Sequence, residues 1–184
     1  MNSRSLNILC TLIMLCFCFA QCKKDKTAPT ELSKLPAATQ TGANTFGCLV
    51  NGKAYIPEGS SGSGTPNPKI TYDVGLNGIP NVLISVNQYE SNNQIGNFLL
   101  FIDSLTLNTS QLISTNSKQI GFGWNVIPRC GFLRSDTIQF KKGVIYITNY
   151  DFPNRIVSGT FDIKIKPNNC DTMFFKAGRF DFKF

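Results

Sequence analysis

The chain has 184 residues, of which 42% are hydrophobic and only 16% charged, with a formal net charge of +7. That apolar content excludes a disordered chain, and the length sets one globular domain with at most a short appendage. Histidine is absent, which removes the commonest general base and metal ligand, and with them every Ser/His or Cys/His catalytic pair.

The N-terminus reads as an export signal. Arg4 is the only charge before Lys23, and Ile8 to Ala20 runs apolar with Thr11 as its one polar interruption. As a helix that run is about 20 Å long, short of the ~30 Å core of a bilayer, so residues 1–21 fit a cleaved signal peptide. The tetrapeptide Phe19-Ala20-Gln21-Cys22 resembles a lipobox in the looser form used by Bacteroidota. The resemblance implies that Cys22 is acylated and becomes the first mature residue. Two or three acyl chains at ~0.8 kcal/mol per buried CH₂ would hold the chain on a membrane, and the expected location is the outer membrane, on either face. Without residues 1–21, 17 basic against 11 acidic side chains leave +6. Lys23, Lys24 and Lys26 lie beside the anchor, where anionic lipid would attract them. The other basic residues are scattered with no interleaved aromatics, so nucleic acid is not an expected partner.

Of seven cysteines, Cys48, Cys130 and Cys170 fall in the mature domain. In an oxidising compartment three cysteines predict one disulfide and one free thiol. Cys48–Cys170 is the expected bridge, since both sit at strand ends. The wide spacing, without histidine, fits no metal site and no cofactor.

Residues 22–45 are expected to be the acylated cysteine and a flexible tether, its 23 residues after Cys22 spanning roughly 25–30 Å. Residues 46–184 form a single antiparallel β-domain. Val157, Phe161, Ile163 and Ile165 alternate with Ser158, Thr160, Asp162, Lys164 and Lys166, and Arg179 to Phe184 repeats the pattern. This is the signature of strands with one wet face. Further strands are expected at 46–50, 69–76, 81–88, 97–103, 119–127, 136–141 and 143–149, the apolar runs Val82–Val86 and Phe98–Ile102 being covered on both faces. Turn chemistry falls at Asn51-Gly52, Asn77 to Pro80, Lys142-Gly143 and Pro167 to Asn169. About 8–10 short strands without a helical period mean an all-β fold, a sandwich or a partly open barrel.

Binding is expected from two loops, 57–68 (PEGSSGSGTPNP) and 87–97 (NQYESNNQIGN), on a rigid scaffold. Tyr89 in the second loop and Trp124 in Gly121-Phe-Gly-Trp-Asn125 are the candidate ligand-binding aromatics, a core position being the plainer role for Trp124. Asp162 and Asp181 lie on polar strand faces and read as solvated surface rather than a catalytic pair. Asp103-Ser104-Leu105, Asp136-Thr137-Ile138 and Asp171-Thr172-Met173 resemble an O-glycosylation sequon of Bacteroidota envelope proteins.

The tract Leu35 to Lys53, containing Asn44-Thr-Phe-Gly-Cys-Leu-Val-Asn-Gly-Lys53, and the end, Val157-Ser-Gly-Thr-Phe161 with Gly178-Arg-Phe-Asp181, together resemble a large family of uncharacterised Bacteroidota lipoproteins. The resemblance implies an envelope-anchored β-domain and no activity. Lys176-Ala177-Gly178 stands where that family would have an Asp-Gly turn. The expected function is a non-catalytic glycan- or protein-binding module held at the membrane through Cys22. The alternative is a structural or assembly lipoprotein docking to an envelope complex.

Overall fold

A computed structural model describes residues 30–60, 64, 66–74, 78–90, 93–103, 105, 107–108, 110–113, 120–124, 138–168 and 170–184. After a short 3₁₀ turn at Glu31–Lys34 come ten strands: β1 Thr45–Val50, β2 Lys53–Tyr55, β3 Lys69–Val74, β4 Pro80–Glu90, β5 Asn93–Ile102, β6 Ser110–Ile113, β7 Ile120–Trp124, β8 Ile138–Asp151, β9 Ile156–Pro167 and β10 Met173–Lys183. They form a six-stranded sheet in the order β2-β1-β10-β9-β8-β6 and a four-stranded sheet β3-β4-β5-β7, with every strand pair antiparallel. The protein is a β-sandwich, not a closed barrel.

Alternation explains the layers. In β9 the buried residues Val157, Phe161, Ile163 and Ile165 face the four-stranded sheet, whose Val82, Ile84, Val86, Phe98, Leu100 and Ile102 are fully buried. Phe98 is the centre of that core, with ring centroids 5.1 Å from Phe46, 5.4 Å from Phe175 and 5.7 Å from Phe161, all on the opposite sheet. The apolar runs in β4 and β5 are covered completely on this face, while Leu83, Leu99 and Phe101 on the other are half-buried.

Two glycines in the six-stranded sheet make room for rings. Gly159 pairs with Phe180 and Gly178 with Phe161 across β9 and β10. A Cβ on Gly159 would lie 2.5 Å from Cζ of Phe180, and one on Gly178 would lie 2.5 Å from Cδ2 of Phe161. Each ring thus lies over the glycine of the neighbouring strand, and the Val157–Phe161 and Gly178–Asp181 segments are reciprocal halves of one packing unit.

Several expectations change. The segment 136–149 is not two strands around a Lys142-Gly143 turn: from Ile138 it is the single strand β8. Gly143 pairs with Ile163 in mid-strand, where a Cβ would come 2.7 Å from the Ile163 Cα, so the glycine permits close approach rather than reversal. Lys176-Ala177-Gly178 is not a turn either. Register shifts there between Phe175 and Gly178, two residues opposing one, with Ala177 at φ +50°, which is a β-bulge. Asn51-Gly52 does turn as expected, with both φ positive, and Asn51 Oδ1 accepts from the Phe174 N–H at 2.8 Å. The strands β2 and β6 were not anticipated.

Gly159→Val and Gly178→Val should each lower stability by about 2–3 kcal/mol, because the added methyls need the space of a packed ring. Urea melts measure this, and a variant that unfolds at the wild-type midpoint would refute the reciprocal packing.

Candidate functional site

The residues expected to be tether are in part a strap. Beginning at Thr30, the segment crosses the outer face of the six-stranded sheet before entering β1. At its start Glu31 accepts from the Ala54 N–H of edge strand β2 at 2.8 Å and pairs with Lys34. Leu35 is buried, and Pro36 packs where a side chain on Gly47 would otherwise stand. Further on, the Gln40 carbonyl accepts from Asn149 Nδ2 at 3.2 Å. The 22–45 tether is corrected accordingly: from residue 30 the chain is docked.

Asp181 holds the strap. Alternation placed it on the polar face of β10, and so it is, but at 1% exposure it is not solvated surface. Its carboxylate accepts from the N–H groups of Thr41 (3.0 Å), Gly42 (2.8 Å) and Ala43 (3.1 Å) and from the hydroxyls of Thr39 (2.6 Å) and Ser158 (2.7 Å). Gly42 has φ +74°, which lets successive N–H groups converge into an anion nest. Burial pushes the Asp181 pKa up, but the bonds from Thr39, Ser158, Ala43 and Gly42 outweigh it and hold the group at about 2, below the usual 3.8.

Beside the strap runs a groove of about 410 Å³ on the same sheet face. Ala38 forms its wall, and its floor includes Tyr146, Thr160, Asp162 and Arg179. The register explains the grouping: Arg179 pairs with Thr160 and Thr160 with Tyr146, a row across β10, β9 and β8, while Val144 pairs with Asp162 in the next row. Tyr146 donates to Asn108 Oδ1 at 3.4 Å. Asp162 is met by Lys176 Nζ at 2.7 Å. Arg179 donates from Nε to the Ala177 carbonyl at 3.3 Å and from Nη1 to the Pro36 carbonyl at 3.1 Å, so strap and bulge together aim it. On the strap's other flank a recess of about 260 Å³ has Lys34 as its one charged residue among Pro36, Ile56 and Pro57, a poorer set for orienting a polar ligand.

The sequence-predicted residues lie elsewhere. Most of 87–97 is strand rather than loop: β4 continues to Glu90 and β5 begins at Asn93, with Asn87 paired to Asn97 and Glu90 to Asn93. Tyr89 is half-buried at the end of β4, where its N–H donates to the Glu58 carbonyl at 2.9 Å. The 57–68 loop is tied at its base by Asn67, whose side chain donates to the Asn87, Gly59 and Glu58 carbonyls and accepts from the Asn87 N–H at 2.9 Å. Trp124 pairs with Gly96 at the end of β7. Alternation from the buried Gln88 puts Tyr89 on the outer face of β4. Cys22, Cys130, Ser104, Thr137 and the Trp124 side chain lie outside the described residues.

The expected Cys48–Cys170 disulfide does not form: Cys48 is a free, fully buried thiol and Cys170 is disulfide-bonded elsewhere. Cys48 lies between Gly47, paired with Arg179, and Leu49, paired with Lys176. Residue 170 is at least six residues further along β10's line, roughly 20 Å away, against the ~6 Å a bridge needs. Burial pushes the Cys48 thiol pKa up, so it is inert. Among the described residues no group of three or more His, Cys, Asp or Glu is placed to hold a metal ion.

Comparisons with protein-family models, with curated proteins and with solved structures return no match to this chain.

Asp181→Asn should destabilise by about 3 kcal/mol, since converging donors lose an ionised acceptor. Because the folded pKa is depressed, the wild-type contribution is complete above pH ~4 and fades as pH falls through about 2, a change of roughly 2 kcal/mol. Urea midpoints from pH 5 to 2 should therefore fall less steeply for the variant, and parallel curves would overturn the assignment. Alkylation followed by peptide mass spectrometry should label Cys48 only after denaturation, and labelling in the folded state would contradict its burial.

Proposed function

We propose that the protein is an outer-membrane lipoprotein, acylated on Cys22, whose non-catalytic sandwich binds a glycan in the groove beside the strap. The observation that carries the reading is the composition of that groove: an aromatic ring, a hydroxyl and a guanidinium sit in one row on rigid strands, with a carboxylate in the next. Sugar recognition needs this mixture, an apolar face to stack on and fixed polar groups to orient the hydroxyls. Among the described lining residues Asp162 is the single carboxylate, and it is paired with Lys176. Glycoside hydrolysis by a carboxylate pair needs a second one across the bond, and Asp181 is closed under the strap. Anchorage rests on the lipobox-like tetrapeptide before Cys22.

A second reading, docking to an envelope protein, is favoured by one feature. Leu112 is 79% exposed on β6, the last strand of the six-stranded sheet among the described residues, the kind of strand that another chain can extend.

Two measurements test the proposal. Growth with an alkyne-tagged fatty acid should label the wild type and not Cys22→Ser. On an array of bacterial, plant and host glycans the protein should retain a defined subset, and Tyr146→Ala should lose it with an unchanged urea midpoint. Retention unaffected by that substitution, with co-purification dependent on Leu112, would favour the docking reading.

A further inference from the structure

We infer that the groove selects a carboxylate-bearing saccharide, a uronic acid unit, and that Arg179 is the selecting residue. The inference rests on the glycan-binding reading and adds the ligand class to it.

Charge accounting on the sheet face leads to Arg179. Among the described residues the ion pairs are Lys34–Glu31 and Lys176–Asp162. Lys164 lies over the Phe174 ring, 5.2 Å from its centroid. Asp181, two residues along β10, has its oxygens occupied by Thr39, Thr41, Gly42, Ala43 and Ser158. Arg179 thus meets no described carboxylate, and its two hydrogen bonds go to neutral carbonyls. A guanidinium carries five N–H groups in a planar fork. Two carbonyl contacts fix the plane of the fork without neutralising it, which lowers the entropy cost of engaging an incoming carboxylate through two parallel bonds.

The surroundings define what carries that carboxylate. Arg179 and Tyr146 are two strands apart with Thr160 between them, roughly 10 Å at ~4.8 Å per strand. A sugar unit fits in that span with its ring against Tyr146, a hydroxyl at Thr160 and its acid group at Arg179. The Ala38 wall closes one side, so the charge contact is partly shielded from solvent and worth more than on an open surface. A small acid such as acetate would engage Arg179 alone and gain nothing from Tyr146 and Thr160.

The test uses the full chain and two probes of the same shape, trigalacturonic acid and its methyl ester, titrated by calorimetry. The expected result is that the acid binds at least roughly tenfold more tightly than the ester, one charge-assisted contact's worth. Arg179→Gln should abolish the difference, and Arg179→Lys should restore part of it. Since Arg179 also holds the strap at Pro36, two further measurements do not depend on removing it. Raising NaCl from 50 to 500 mM should weaken the acid and leave the ester unchanged, and Thr160→Val should weaken both. Equal binding of acid and ester would overturn the acidic selection while leaving glycan binding intact. Binding of the acid that ignores Arg179→Gln would place the site elsewhere. Absence of binding by both probes, together with an empty glycan array, would remove the underlying reading as well.

Discussion

A buried carboxylate that cannot be left without donors governs the outer face of this sandwich. Asp181 lies on the polar side of β10, where an ordinary strand would meet water, and at 1% exposure its charge has to be solvated by the protein itself. Ser158 on the neighbouring strand supplies one donor; the rest come from residues 39–43, about 140 positions earlier in the chain. The requirement pulls the strap across the sheet, and the path it must take explains several other residues. Gly47 is bare because Pro36 passes over it. Asn149 turns its amide to Gln40, and Asn44 Oδ1 accepts from the Lys183 N–H at 3.1 Å. The wall of the groove is a consequence of that path, and so is the aim of Arg179.

Inside the sheet a second constraint works by shape rather than charge. Phe161 and Phe180 each need a glycine on the opposite strand, and the β-bulge at Lys176–Gly178 shifts register so that Gly178 meets Phe161. The bulge holds Ala177 in the left-handed region, a local cost of order 1 kcal/mol that the buried ring contacts offset. About half of the residues in the Leu35–Lys53, Val157–Phe161 and Gly178–Asp181 tracts fall into these two devices. Thr39 to Ala43, Gly47, Asn51-Gly52, Ser158-Gly159, Phe161 and Gly178 to Asp181 build the clamp, the turn and the ring seats. A pattern made of such residues identifies a fold and is silent about a ligand, which is why the sequence motifs lead to architecture more readily than to activity.

The same distinction describes what could be read from the chain beforehand. Alternation assigns inner and outer faces correctly over Val157–Lys166 and Arg179–Phe182, because period two is a property of the extended backbone and fails only where a bulge interrupts it, as at Lys176–Ala177. What covers a face is not local. Asp162 and Asp181 have the same pattern around them; one pairs with Lys176 at the surface and the other is sealed under a segment remote in sequence. Composition misdirects for a similar reason. Residues 87–97 are rich in amides and look like a loop, yet Asn97 donates to Asn87 across paired strands at 2.7 Å. The Thr- and Pro-rich strap looks like a tether because its partner is one carboxylate rather than a hydrophobic core. Cys48 and Cys170 both fall near strand ends, and only the register of β1 on β10 separates them. The groove residues Tyr146, Thr160, Asp162 and Arg179 come from three strands, and no linear spacing relates Tyr146 to Arg179; only the β8-β9-β10 order does.

Under the proposed acylation of Cys22, the strap would also tie the groove to the membrane anchor. Seven residues separate Cys22 from Thr30, where the packed segment begins, a reach of at most about 29 Å over eight steps even fully extended. Under the proposed acylation this short connection enters at edge strand β2, on the side of the sheet that carries the groove, rather than at a remote end of the sandwich. The sheet face would then stand within a short distance of the lipid surface, and a saccharide would have to approach along it. Such a geometry suits a glycan chain running parallel to the membrane better than one arriving end-on. The Asp181 clamp would hold that orientation: while the carboxylate stays ionised, lifting the strap from the sheet forfeits the charge-assisted bonds from Thr39, Thr41, Gly42 and Ala43.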